Sequence, residues 1–181
     1  MPEDKRSAFM QAYQPCHEPF VRYCSALAHG KMDAQDLVQD VLLSAFQRFE
    51  AIRKKDELLH YLIRAAKNRA ASAWRTNKRS ADLCEKQAAR LQARGATAEM
   101  LLDVEILYAT LERLPTDQRD ALLLFEVSGL SMAEIAAIQG TNENAMKTRV
   151  SRARASVREL LGSPVLQRPN AALNAFKTLM L

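Results

Sequence analysis

Residues 130–160 read LSMAEIAAIQGTNENAMKTRVSRARASVREL, and the reading of this stretch decides the fold. It predicts two helices joined by a tight turn. Ser131 is placed as a helix N-cap, and Glu134, three residues on, completes a capping box. Ile135 and Ile138 give the short first helix an apolar side. Gly140 supplies the residue type that turns sharply beyond a helix end. Asn142 caps the second helix. There Met146, Val150, Ala153, Val157 and Leu160 with Leu161 recur at helical spacing, so one face packs inward. The other faces carry Lys147, Arg149, Arg152, Arg154 and Arg158, with no acidic residue between Glu143 and Glu159.

This is the pattern of a helix-turn-helix, in which a buried face fixes the second helix and its exposed face enters the major groove of DNA. Lys147, Thr148, Ser151 and Arg152 lie at i, i+1, i+4 and i+5, on one side of the helix. They mix charge with hydroxyls, the groups that read base edges. Arg149 and Arg154 fall to the flanks, where phosphates run. A lone basic helix is as readily a solvated surface. The capped helix and the glycine turn ahead of this one favour DNA.

The rest of the chain fits an all-α protein. Its 181 residues suffice for one domain or two small ones. Five glycines and six prolines are few, and β-branched runs are absent, so helix formers dominate. The net charge of +5 is unevenly spread. Tyr61 to Ala81 holds Arg64, Lys67, Arg69, Arg75, Lys78 and Arg79 without an acid. Two separated basic segments imply two contacts on one polyanion. Cys16, Cys24 and Cys84 are odd in number and lack a CxxC spacing, which predicts reduced thiols. Cys16-His17 has no partner ligands at useful spacing, so no metal site is expected. No secretory signal is read at the N-terminus, and no apolar run is long enough to span a membrane.

Working outward, residues 1–29 predict one or two helices with Phe9, Phe20, Val21, Cys24, Leu27 and Ala28 inside, interrupted at Pro15 and Pro19. After Gly30, a strong helix starts at Asp33 and buries Leu37, Val38, Val41, Leu42, Ala45, Phe46 and Phe49. Asp36, Asp40, Leu43 and Gln47 face the other way, and an apolar residue on an acidic face hints at a docking partner. A charged connector, RKKDE, fills 53–57. The following helix has Leu59, Leu62, Ile63, Ala66, Ala70 and Ala73 with Trp74 inside, and Arg64, Lys67, Ala71, Arg75 and Lys78 as an outer stripe. Tyr61 and Asn68 interleave with these cations, a mixture suited to unpaired bases as well as phosphates. Residues 80–100 turn polar and weakly periodic and predict a linker, partly helical. From Leu101 a new pattern leads through Leu114 to Pro115, with Thr116 as the next cap, and on to Gly129. The expected domains are therefore 1–79 and 101–162, joined by 80–100, with a tail at 163–181. In that tail Ala171–Leu181 suits a short amphipathic helix.

The C-terminal part of this pattern resembles region 4 of bacterial sigma factors of the extracytoplasmic-function (ECF) group. The resemblance rests on Leu114-Pro115 with Arg119, Gly129-Leu130-Ser131, Glu134-Ile135-Ala136, Gly140, Lys147-Thr148-Arg149 and Ser151-Arg152-Ala153-Arg154. DAQDLVQDVLLSAF resembles the family's region 2.2, and LLHYLIRAAKNRAASAWR its regions 2.3 and 2.4. Together the matches cover roughly residues 10–161. The resemblance implies that Asp36, Gln39, Asp40 and Leu43 dock on core RNA polymerase. It gives Tyr61, Arg64, Lys67, Asn68 and Arg75 to the downstream (−10) promoter element and a flipped base. Lys147, Thr148, Ser151 and Arg152 fall to the upstream (−35) element, with Arg149 and Arg154 near phosphates. It also implies promoter DNA as ligand, an anti-sigma factor as partner, no cofactor, no catalytic residue, and a cytoplasmic chain that such a partner could hold at the inner membrane.

A simple repressor or activator of the helix-turn-helix class is the alternative reading. It needs neither the acidic face of the Asp33 helix nor the Lys67–Arg75 stripe. An enzyme has no support, since no phosphate loop, nucleophile elbow or ligand cluster is present in the sequence.

Overall fold

A computed structural model of the chain describes residues 2–52, 57–76 and 81–161, with the side chains of residues 2, 3 and 73–76 outside that description. The connector at 53–56, Arg75 and Trp74 as side chains, Lys78, and the tail beyond Leu161 therefore lie outside the described residues. All regular structure among the described residues is helical. The helices are α1 (Pro2–Tyr13), α2 (His17–Ala28), α3 (Ala34–Gln47), α4 (Leu58–Thr76), α5 (Ala81–Ala93), α6 (Ala98–Leu111), α7 (Thr116–Glu126), α8 (Met132–Gln139) and α9 (Glu143–Leu161). They fall into two compact units, residues 1–83 and 84–181.

In the first unit α2 packs against both α3 and α4, and α3 against α4. Phe20, Tyr23, Cys24, Val41, Ala45, Leu58, Leu62, Ala66 and Ala70 are buried between them. Phe9 anchors α1 by standing edge-on to Phe46 and Phe49, with ring centroids 5.4 and 5.2 Å away. Pro15 sits in a 3-10 turn, Gln14–Cys16, and interrupts the chain as expected. Pro19 does not. It lies in the first turn of α2, where a backbone N–H has no helical partner to lose. Asp33 caps α3, accepting from the Gln35 amide at 2.8 Å. Leu58, rather than Leu59, opens the inner face of α4. Val21, Val38, Leu42 and Phe46 are only half-buried, at the margins of the core.

The stretch read as a linker, 80–100, is largely helix. It holds α5 and the first residues of α6, and Leu91 and Ala96 are buried. Thr97 caps α6, accepting from the Met100 amide at 3.2 Å. In the second unit α9 is the central element and packs against α6, α7 and α8. Its Met146, Val150, Ala153 and Val157 are buried, as are Leu122, Leu123 and Val127 of the α7 region and Ile135 and Ile138 of α8. The N-cap of α7 is Pro115; Thr116 is already helical and makes no side-chain cap. The Pro115 carbonyl instead accepts the amides of Gln118 and Arg119, each at 3.0 Å.

Candidate nucleic-acid interface

The turn before α9 is built from local chemistry. The Ser131 hydroxyl accepts from the Glu134 amide at 3.2 Å, while the Glu134 carboxylate accepts from the Ser131 amide at 2.8 Å. Gly140 adopts φ 66°, ψ 40°, the left-handed conformation that costs glycine nothing extra. The Ala136 carbonyl takes the amides of Gly140 and Thr141, the latter at 2.9 Å, which closes α8. Asn142 then accepts from the Ala145 amide at 2.9 Å and starts α9. Ser131, Glu134, Gly140 and Asn142 thus fix where the exposed face of α9 points.

That face carries Lys147, Thr148, Ser151 and Arg152, all exposed. Lys147 pairs with Glu143 one turn back, at 2.8 Å, a surface pair worth well under about 1 kcal/mol and readily exchanged for a phosphate. Thr148 donates to the Asn144 carbonyl at 3.0 Å, which leaves its oxygen lone pairs outward. The two flanking arginines are engaged within the protein. Arg149 donates to the Gln139 side chain on α8. Arg154 pairs with Glu126 on α7, and its guanidinium carbon lies 5.2 Å from the centre of the Phe125 ring.

On α4, Tyr61 and Arg64 line an open cleft of about 520 Å³ together with Arg48, Ala51, Ile52, Glu57 and His60. Two cations, an imidazole and a phenol around a space of this size suit a planar, electron-rich group beside a phosphate. Lys67 and Asn68 lie one to two turns further along α4, half-buried and exposed respectively, and are not among the cleft-lining residues. On α3, Asp36, Gln39 and Asp40 are exposed and Leu43 is 58% exposed. Asp40 pairs with Arg69 of α4 at 3.0 Å, so the acidic face and the basic helix meet along one edge.

Residues 12–80 match the family model for Sigma-70 region 2, and residues 104–157 match that for Sigma-70, region 4. The chain is also 34% identical over 146 residues to the ECF RNA polymerase sigma factor EcfG of Rhodopseudomonas palustris, covering 79% of this chain and 80% of that one. This chain belongs to the ECF sigma factors. Two solved structures are similar to it. One is the sigma factor RpoE from Bartonella quintana in complex with the anti-sigma factor NepR, with TM-score 0.60, 26% identity, and coverage of 87% of this chain and 98% of that one. The other is CnrH in complex with the cytosolic domain of CnrY, with TM-score 0.63, 25% identity, and coverage of 88% and 90%. The two model matches fall one on each unit of the sigma factor, with α2–α4 carrying region 2 and the stretch from Val104 of α6 into α9 carrying region 4.

Several residues of the sigma factor's surfaces escaped sequence reasoning. Arg48, Ala51 and Ile52 join His60, Tyr61 and Arg64 of α4 around the cleft from the other side of the connector, and His60 lies one turn before Arg64 on the same helix. Arg69, Glu126, Phe125 and Gln139 pair with predicted site residues from other helices. Periodicity along one helix holds no signal for such partners. Among the described residues no cluster of His, Cys, Asp or Glu could hold a metal, and no helix is long and apolar enough to cross a membrane.

Proposed function

We propose that this sigma factor acts as the promoter-specificity subunit of RNA polymerase, gripping one promoter through two basic helices and core enzyme through α3. Asp36, Gln39, Asp40 and Leu43 form the docking face for core polymerase. Tyr61 and Arg64 in the cleft, with Lys67, Asn68 and Arg75 along α4, hold the opened −10 element. Flipping a base out of the stack costs a few kcal/mol, and a cleft offering stacking and charge offsets it. Lys147, Thr148, Ser151 and Arg152 read the −35 element, with Arg149 and Arg154 at the edges of the same face. The observation that carries this reading is the capped α8–α9 pair presenting polar and basic side chains outward, in a chain that also holds the Tyr61–Arg64 cleft.

Permanganate footprinting of holoenzyme on its promoter tests it. Thymines of the downstream element become reactive with the wild-type chain and stay protected with Tyr61→Ala combined with Arg64→Ala. Unchanged reactivity in that variant contradicts the role of the cleft. Both solved structures described above hold a sigma factor with an anti-sigma partner, and on that support we assign this chain a protein inhibitor as well. Inhibition of its transcription by the product of a gene encoded beside it is the expected result; insensitivity to all such products counts against the assignment.

A further inference from the structure

Arg154 is drawn back toward the body of its unit. Its Nε donates to Glu126 Oε1 at 2.7 Å, and Nη2 donates to the same oxygen. The guanidinium also lies over the Phe125 ring, 5.2 Å from its centre. The Glu126 side chain is only 16% exposed. Turning Arg154 outward to a phosphate would give up two charge-assisted hydrogen bonds to a carboxylate largely shielded from water, together with the contact to the ring. At about 100° per residue, Arg149 and Arg154 fall on opposite edges of the face bearing Lys147, Thr148, Ser151 and Arg152. Arg149 ties one edge to Gln139 of α8, and Arg154 ties the other to the last turn of α7.

We infer that Arg154 is a positioning residue: with Glu126 and Phe125 it sets the angle at which α9 meets the groove, instead of neutralising a phosphate. The inference rests on the reading of α9 as the base-reading helix. The two roles predict opposite effects at Glu126, which lies on α7 and not on the reading face. As a phosphate contact, Arg154 would be released by Glu126→Gln, and every duplex would bind more tightly. As a latch, its release lets α9 shift, and discrimination falls. Arg154→Lys separates the roles again. Lysine keeps the charge but loses the planar fork that both donates to the carboxylate and stacks on the ring.

The test uses holoenzyme, the promoter duplex recovered by start-site mapping, and the same duplex with its upstream element scrambled, titrated across salt. Glu126→Gln and Arg154→Lys should each lower the promoter-to-scrambled affinity ratio by about tenfold, the worth of one good base contact. The double variant should be no worse than either single one, because the two side chains act as a unit. The salt slope should stay at the wild-type value. Tighter binding of both duplexes by Glu126→Gln, a slope steeper by about one in that variant, a wild-type ratio in Arg154→Lys, or equal losses on both duplexes would each overturn the inference. A wild-type chain with no preference between the duplexes would instead sink the reading of α9 itself.

Discussion

Arg152 and Arg154 stand two residues apart on α9 and face different partners. Arg152 is exposed on the outward face of α9 that carries Lys147, Thr148 and Ser151, and Arg154 is held by Glu126. Arg152→Ala should therefore weaken binding to the upstream element by about 1–3 kcal/mol and leave binding to scrambled duplex nearly unchanged. Equal loss on both, measured by titration of holoenzyme, would contradict base readout. In the first unit the informative residues are buried. Burial, helped by the neighbouring Cys24 and Cys16 thiols, pushes the Tyr13 hydroxyl from 10.0 up to about 12. Burial likewise raises the Cys16 and Cys24 thiols above 9.0. The unfolded chain gives up these protons first. Stability is thus complete below 9.0 and is lost as pH climbs toward about 12. Urea melts on either side of that window should show a falling midpoint, and a flat midpoint would contradict the burial of these groups. The same burial keeps Cys16 and Cys24 as unreactive thiols, while half-buried Cys84 should take up a thiol reagent first in the native chain. The sequence predicted free thiols from their number and spacing, and all three are free. It held no sign of the Tyr13 environment, which arises where α1, the 3-10 turn and α2 converge.

Among the elements, α8 and its turn were the most legible, because capping is written within four residues of chain. Ser131, Glu134, Gly140 and Asn142 all occupy the roles their types suggest. Ser131→Ala should cost about 1 kcal/mol of stability. Gly140→Ala meets no atom within 4 Å of its new Cβ, so its cost, about 1 kcal/mol, comes from the backbone conformation alone. Hydrogen exchange of the buried α9 amides reads both losses. Pairings between helices were not legible. Asp40 and Arg69 are 29 residues apart, and Arg154 and Glu126 are 28 apart, distances at which helical period carries no information. The Asp40 pair matters for testing α3. Asp40→Lys should impair binding to core polymerase without unfolding the chain, since an exposed pair contributes at most about 1 kcal/mol. Arg69→Ala breaks the same pair and is the control. If it weakens polymerase binding as much as Asp40→Lys does, the pair matters and the docking charge does not.

For the molecule as a whole, the division of basic charge between two helices was visible in composition, and the division between units, after Leu83, falls inside the stretch read as the linker. Residues 80–100 read as a polar, partly helical linker because α5 buries little; α5 and the start of α6 fill most of it, with Leu91 of α5 and Ala96 of the following turn buried. A helix with one buried leucine leaves almost no periodic trace. Each unit has its own buried core, and in the proposed function each brings one basic surface to the same promoter. Run-off transcription with core RNA polymerase, followed by sequencing of the transcripts' starts, tests this most directly. The purified chain should direct core enzyme to discrete start sites that share one upstream and one downstream element, and Lys147→Ala with Arg152→Ala should abolish the preference for the upstream one. Transcripts no more localised than those of core enzyme alone would contradict the account.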